Sequence, residues 1–182
     1  EALPDAEIYV FDNGSTDDTA AVAAEAGALV RHEPRPGKGH VVRRMFADID
    51  ADLYLLVDGD ATYEAAAAPA MIQMVLEQKL DMVVGCREGE GEAAYRAGHR
   101  FGNAMLTGFL AQVFGRGFSD ILSGYRVMSR RFVKTFPCLS SGFEIETEIA
   151  VHALTLGLPF GEVRTRYGAR PEGSNSKLRT FS

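Results

Sequence analysis

No stretch of the 182-residue chain approaches the ~18 consecutive apolar residues that a membrane span requires. The run from Ala65 to Ala70 is too short and too weakly hydrophobic, so the chain reads as soluble. Glu1 to Glu7 carry acids and a proline in place of a basic segment followed by an apolar one; no secretory signal is visible, and a cytoplasmic setting is expected. There are only two cysteines, Cys86 and Cys138, far apart and without a neighbouring Cys or His at zinc-ligand spacing. That excludes a disulfide framework and a metal knuckle, and leaves both as packing residues. Basic charge is in deficit: the net charge of -6 argues against non-specific nucleic-acid binding, which needs cations to displace phosphate counterions. Internal repeats and linkers are also lacking. With 46% hydrophobic residues, the chain is expected to form one globular domain over residues 1–182.

What is present is an alternation of short apolar runs with helical stretches. Ile8 to Phe11 is a β-rich run, Asp12 to Thr16 is turn chemistry, Asp17 to Ala26 is Ala-rich, and Gly27 is a helix stop. Ala28 to Arg31 forms a second run, followed by a Pro/Gly loop and apolar residues at helical spacing from His40 to Ile49. Leu53 to Val57 reads as the clearest buried strand, with a helix over 66–78 and a strand over 82–85 after it. Further on, the pattern predicts helices over 96–114, 130–136 and 145–156 and strands over 124–128 and 160–166. Such alternation predicts an α/β fold with a mainly parallel sheet covered by helices on both faces. Ligands on such sheets bind beyond the carboxyl ends of the strands, so Asp12 and Asp58, each directly after an apolar run, are expected to face one crevice.

Asp58-Gly59-Asp60 puts two carboxylates one residue apart on a tight turn, which suits a hard cation such as Mg2+ or Mn2+ that leaves room for phosphate oxygens. Asp-Gly is also ordinary turn chemistry, and the position after a strand is what favours a metal site. The triplet Asp48, Asp50 and Asp52 imitates a calcium loop but has Leu53 where the loop needs glycine and Gly59 where it needs glutamate. Gly37-Lys38-Gly39 offers flexible glycines and a point charge before a helix, without the remainder of a P-loop. Gly89-Glu90-Gly91 lacks the third glycine of a dinucleotide site. The four histidines are scattered, and no Ser or Cys sits in a nucleophile elbow. Glu144, Glu146 and Glu148 open a helix, where acids oppose the macrodipole.

In order along the chain, Val10 to Thr19, Gly37-Lys38-Gly39, Asp58-Gly59-Asp60, Phe101-Gly102-Asn103, Phe118-Ser119-Asp120, Ser123-Gly124-Tyr125-Arg126 and Gly142 to Glu146 resemble the motifs of family 2 glycosyltransferases. The resemblance spans nearly the whole chain. It is strongest to the branch containing dolichol-phosphate mannosyltransferase and the bacterial polyprenol-phosphate glycosyltransferases. It implies the Rossmann-like GT-A fold and metal-dependent, inverting transfer of a hexose from a UDP- or GDP-sugar. The implied acceptor is polyprenyl phosphate, with a glycan hydroxyl as alternative; a sugar nucleotidyltransferase and a non-catalytic nucleotide-binding fragment are the other readings. Asp12 would accept from the imide N–H of the base, with Asn13 and Ser15 shaping the turn and Lys38 near the phosphates. Asp58 would touch ribose or metal, and Asp60 would ligate the cation. Arg126 and Arg100 would hold an acceptor phosphate; Asp120 or Glu144 would serve as base toward a hydroxyl. The resemblance also implies a loop near the substrates over 167–180, a cytoplasmic setting at the inner membrane face, peripheral membrane contact and room for oligomerisation. Thr62 stands where relatives often carry Gln. The family's usual first strand, with its Tyr-Asn-Glu type motif, would precede Ala6, and many relatives continue into hydrophobic segments past the C-terminus, so a chain trimmed at both ends is expected.

Overall fold

The computed structural model describes residues 2–89, 97–115 and 117–169. Their elements run β1 (Tyr9–Asp12), α1 (Thr19–Glu25), β2 (Leu29–His32), α2 (Lys38–Asp48), β3 (Leu53–Leu56), a 3-10 turn (Ala65–Ala67) leading into α3 (Ala68–Gln78), β4 (Met82–Gly89), α4 (Ala97–Phe114), β5 (Arg126–Ser129), α5 (Arg130–Thr135), α6 (Ile145–Thr155) and β6 (Phe160–Tyr167). Each strand and helix expected from the sequence is present, and the fold is α/β. They assemble into two compact units, one of Leu3–Asp50 with Pro137–Ile145, the other of Ala51–Phe136 with the chain from Glu146 onward.

In the first unit β1 and β2 pair in parallel, from Tyr9 opposite Leu29 to Asp12 opposite His32. Gly27, at φ 91°, lets the chain leave α1 and return to β2, a conformation that a Cβ disfavours. Phe11, Val42, Phe46 and Cys138 are buried. Arg43 on α2 donates from Nε and Nη2 to the Cys138 carbonyl at 2.8 and 2.6 Å, and the Gly39 N–H donates to the Ser141 carbonyl at 3.0 Å. The start of α2 is thereby held against residues 138–141.

The second unit has a four-stranded sheet in the order β3-β5-β4-β6. β4 and β6 are parallel over eight residue pairs, from Met82 with Phe160 to Gly89 with Tyr167. That long ladder carries β4 four residues past Gly85, where the apolar run ends. β5 is antiparallel to both of its neighbours; a run of apolar residues encodes burial and carries no direction. Met82, Val83, Val84, Val127 and Met128 are fully buried, with Met71 of α3 and Phe132 of α5 among the side chains packed in the core. β3 is less buried than its apolar sequence suggests: only Tyr54 is in the core and Val57 is 44% exposed. Among the described residues β3 has a strand neighbour on one side alone, at the edge of its sheet.

The junction of β5 and α5 is a polar knot. Ser129 caps α5 by accepting the Phe132 N–H at 3.1 Å and donates to Asp81 at 2.7 Å. The Arg131 guanidinium donates to both Asp81 oxygens. Burial raises the Asp81 pKa, but the bonds from Arg131 and Ser129 outweigh it and hold the carboxyl below its ordinary range.

Candidate active site

Asp58-Gly59-Asp60 lies just past the carboxyl end of β3. Thr62 fixes the second acid: its N–H and its hydroxyl both donate to Asp60 Oδ1, at 3.3 and 2.5 Å. The turn closes through Ala61, whose φ of 57° is left-handed. Thr62 thereby fixes the orientation of the Asp60 carboxylate. Thr62 is 3% exposed, so the hydroxyl has little choice of partner.

The Ser123-Gly124-Tyr125-Arg126 motif builds the wall behind Asp58. A Cβ on Gly124 would run into the Asp58 carboxylate, which explains the glycine. The Gly124 N–H donates to the Tyr63 hydroxyl at 2.8 Å. The Ser123 hydroxyl donates to the Gly85 carbonyl at 2.6 Å, and Gly85 lies so close to the Tyr125 ring that an added Cβ would come within 2.8 Å of it. Burial pushes the Tyr63 phenol up, keeping it neutral.

Among the described residues no group of three or more His, Cys, Asp and Glu forms a ready-made cage for a metal. Two carboxylates on a tight turn fit a cation that takes its other oxygens from a diphosphate and water, the habit of Mg2+ and of Mn2+.

Two implied roles are corrected by the packing. Arg126 is 1% exposed, and its guanidinium donates to the main-chain carbonyls of Ser123 (2.9 Å), Ile121 and Glu146 (3.0 Å). Burial lowers its pKa. It is a core residue that ties the 121–123 loop to Glu146 through three main-chain carbonyls, and is not placed to hold an acceptor phosphate or to act in catalysis. Asp120, 6% exposed, accepts from Arg87 Nε and Nη2 at 2.7 Å each and from the Arg87 N–H at 3.1 Å. These three charge-assisted and main-chain bonds engage both carboxylate oxygens with Arg87 and hold that guanidinium in place. Arg100 lies on α4 with its side chain outside the described residues; the 170–180 part of the substrate loop is outside them too. Glu144 is exposed and accepts the Gly142 N–H at 3.0 Å in the first unit.

The first unit carries the nucleotide candidates. Asp12 ends β1, accepts the Ser15 N–H at 3.1 Å and meets His32 Nδ1 at 3.2 Å. Its pKa is lowered, mainly by the bond to Ser15 and further by His32, so it is an acceptor-only carboxylate at neutral pH. Asn13 is fully engaged as a staple: its amide donates to the Glu33 and Arg35 carbonyls at 2.7 and 2.8 Å, and its oxygen accepts the Gly37 N–H at 2.9 Å. Ser15 is exposed beside it. Lys38 is the half-buried first residue of α2. The flanking glycines answer a packing need, because a Cβ at Gly37 or Gly39 would collide with the carbonyl oxygens of Ser141 and Ser140.

Thr62, Tyr63, Glu64 and Arg87 were not singled out as site residues by sequence. Only Thr62 had a local signal, a hydroxyl two residues after an Asp that bonds in a tight turn. The others are brought in by contacts across more than 30 residues, such as Arg87 to Asp120 and Tyr63 to Gly124.

The profile of Glycosyl transferase family 2 matches residues 2–136. Protein RfbJ of Shigella flexneri is 61% identical over 99 residues, 54% of this chain and 77% of that protein. Glycosyltransferase AglJ of Haloferax volcanii is 39% identical over 175 residues, 95% of this chain and 57% of AglJ. The low-salt glycan biosynthesis hexosyltransferase Agl6 of the same organism is 35% identical over 187 residues, 99% of this chain and 45% of Agl6. The chain thus spans about half the length of these two relatives. In fold it is similar to glucosyl-3-phosphoglycerate synthase of Mycobacterium tuberculosis, solved with Mn2+, uridine diphosphate and glucosyl-3-phosphoglycerate, at a TM-score of 0.70 and 24% identity over 96% of this chain and 64% of that one.

Proposed function

The chain belongs to glycosyl transferase family 2, and on that premise we propose that it transfers a hexose from a UDP- or GDP-sugar to polyprenyl phosphate, with inversion, at the cytoplasmic face of a membrane. The observation that carries the reading is the acidic turn after β3, where Asp60 is aimed by Thr62 and Asp58 is seated on Gly124. Asp60, with Asp58, would hold Mg2+ or Mn2+. A divalent cation there offsets the charge that grows on the departing diphosphate. Asp12, kept ionised by Ser15 and His32, retains lone pairs to accept an imide N–H of uracil or guanine, with Ser15 and Asn13 shaping that turn. Lys38 contributes a cation toward the phosphates.

A lipid phosphate is already largely ionised at neutral pH, with a second pKa of ~6, so the reaction needs no strong base. That suits a site in which Asp120 is clamped by Arg87. Support for membrane contact comes from α4: Met105, Phe109 and Val113, four residues apart, are 63%, 61% and 58% exposed, and the helix contains no Asp or Glu. An exposed apolar stripe of this kind suits a helix that lies against a membrane interface. No helix among the described residues is long and apolar enough to cross a membrane. Arg100, in the first turns of α4, is the remaining candidate for the acceptor phosphate.

One observation favours a second reading. With Arg126 buried, one of the two phosphate anchors implied by the resemblance is lost, which favours a sugar hydroxyl as acceptor with Glu144 as base. Agl6 bears the name of a hexosyltransferase of glycan biosynthesis, which agrees with hexose transfer under either reading.

Two measurements test the proposal. Titration calorimetry should show UDP or GDP binding that requires Mn2+ and disappears in Asp60→Asn; unchanged binding in that variant would refute the metal assignment. Incubation with labelled donors and polyprenyl phosphate should give a lipid-extractable product, and a water-soluble glycoside would favour the hydroxyl acceptor.

A further inference from the structure

We propose that His32 is a positioning residue that orients Asp12 toward the base of the donor and thereby sets the selectivity of the site for bases carrying an imide N–H; the inference rests on the reading of Asp12 given above. The register of the first sheet puts the two together, since Asp12 and His32 are the last partners of the parallel ladder between β1 and β2. His32 Nδ1 lies 3.2 Å from Asp12 Oδ2, and the Ser15 N–H reaches the other oxygen, Oδ1, at 3.1 Å. The last torsion of a carboxylate side chain is broad and turns easily. Here the main chain around it is already held, because the Asp12 carbonyl accepts the Glu33 N–H at 2.9 Å and the Asn13 amide donates to the Glu33 and Arg35 carbonyls. What the backbone leaves free, the two side-chain bonds remove. One donor on each oxygen fixes the carboxylate plane and leaves each oxygen further lone-pair capacity in a set direction.

The chemistry of the pair assigns the proton. Asp12 is held below the ordinary carboxyl range, first by Ser15 and further by the imidazole, so it only accepts at neutral pH. Nδ1 must then carry the hydrogen, in the neutral ring as in the charged one. Exposure makes the contact testable: the His32 side chain is 59% exposed against 12% for Asp12, so replacing the imidazole removes a bond to Asp12 and little packing. The consequence is a choice among bases. Uracil N3 and guanine N1 are donors on the edge by which a base is read, whereas cytosine N3 is an acceptor and would set its lone pair against the ionised carboxylate. A site built to pair with an N–H strongly rejects an analogue that lacks it, because its own polar group is left unpaired. Rejection of this kind depends on direction, and a carboxylate without its second tether loses direction.

The test is titration calorimetry of the full chain with Mn2+ and UDP, GDP and CDP, which share ribose, diphosphate and cation and differ in the base alone. His32→Leu should weaken whichever of UDP and GDP the unaltered chain prefers by about tenfold, the scale of one lost hydrogen bond to a charged group, and leave CDP within about twofold. His32→Asn, whose amide N–H can stand in for Nδ1–H, should recover most of the loss. Equal losses for all three diphosphates, the result of a merely structural role, overturn the inference and leave the donor reading standing, and so does an unchanged preference among them. A loss that Asn does not recover overturns it as well, assigning the effect to the bulk of the ring. Heteronuclear NMR of the unliganded chain gives a readout independent of any nucleotide: the neutral His32 ring should carry its proton on Nδ1, and a ring protonated on Nε2 alone overturns the contact. An unaltered chain that binds CDP as tightly as UDP and GDP, or binds none of the three, refutes the donor reading of Asp12 itself, and this inference with it.

Discussion

Replacing Thr62 by Val removes one hydroxyl and little else. The side chains are nearly equal in volume, and the site is 3% exposed, so packing survives. What disappears is the O–H donor 2.5 Å from Asp60 Oδ1, while the Thr62 N–H at 3.3 Å stays. A hydrogen bond to a charged group contributes roughly 1.5–3 kcal/mol, and water can partly replace it at the half-buried Asp60. A loss near 1 kcal/mol of stability is therefore expected, about 2–4 °C in melting temperature for a chain of this size. The larger effect should fall on the cation. Removing the group that orients a metal-binding carboxylate commonly costs about 10–100-fold in metal affinity. Titrating Mn2+ by electron paramagnetic resonance in the presence of UDP or GDP should show at least a tenfold weaker site in Thr62→Val. Thr62→Ser, which keeps the hydroxyl, should recover most of it. Equal Mn2+ affinity in Thr62→Val and the unaltered chain would refute the assignment of Thr62 as the residue that aims Asp60. A loss that Ser does not recover would mean that the methyl group matters and the hydroxyl does not.

Arg126→Met should lower stability by about 3 kcal/mol, or roughly 10 °C in melting temperature, because three buried carbonyls lose their donor. A variant that melts normally and loses only acceptor affinity would restore Arg126 to the acceptor site. Asp81→Asn should cost about 1 kcal/mol at pH 7, a modest figure because Arg131 is 65% exposed and its attraction is screened. The Asp81 pKa is depressed in the folded chain, so its contribution is complete above the unfolded carboxyl value of ~3.9 and is lost as pH falls through the folded value. Urea melts of the two proteins should therefore differ at pH 7 and draw together below about pH 4; a difference that stays constant with pH would refute the ionic role.

The identity and order of the elements were legible in the chain, because apolar runs broken by Gly and Pro register burial locally. Gly27 stops α1 and Ser129 caps α5 through bonds that reach only a few residues. The acidic turn was legible for the same reason, since both carboxylates and the strand before them are contiguous. Strand direction and order were not. β5 inserts antiparallel between β3 and β4, and that choice is made by the ladder of pairs it can form, with partners such as Met82 and Leu53 lying 46 and more residues away. Side-chain roles within the motifs were equally hidden. Ser123, Gly124, Tyr125 and Arg126 read as an acceptor region. In the folded chain they bind Gly85, make room for Asp58, back Tyr63 and tie three carbonyls together.

By itself, then, the sequence determined that this is an α/β glycosyltransferase of family 2 with an acidic turn after its third strand. The family came from the resemblance of the ordered motifs, while the α/β class and the acidic turn were legible because hydrophobic period and turn chemistry are properties of neighbouring residues. Only the tertiary structure decided that Arg126 and Asp120 serve the scaffold, that Thr62 aims Asp60, and that His32 meets Asp12. Whether a charged side chain meets a ligand or a backbone carbonyl depends on what folding packs around it, and those neighbours come from distant parts of the chain.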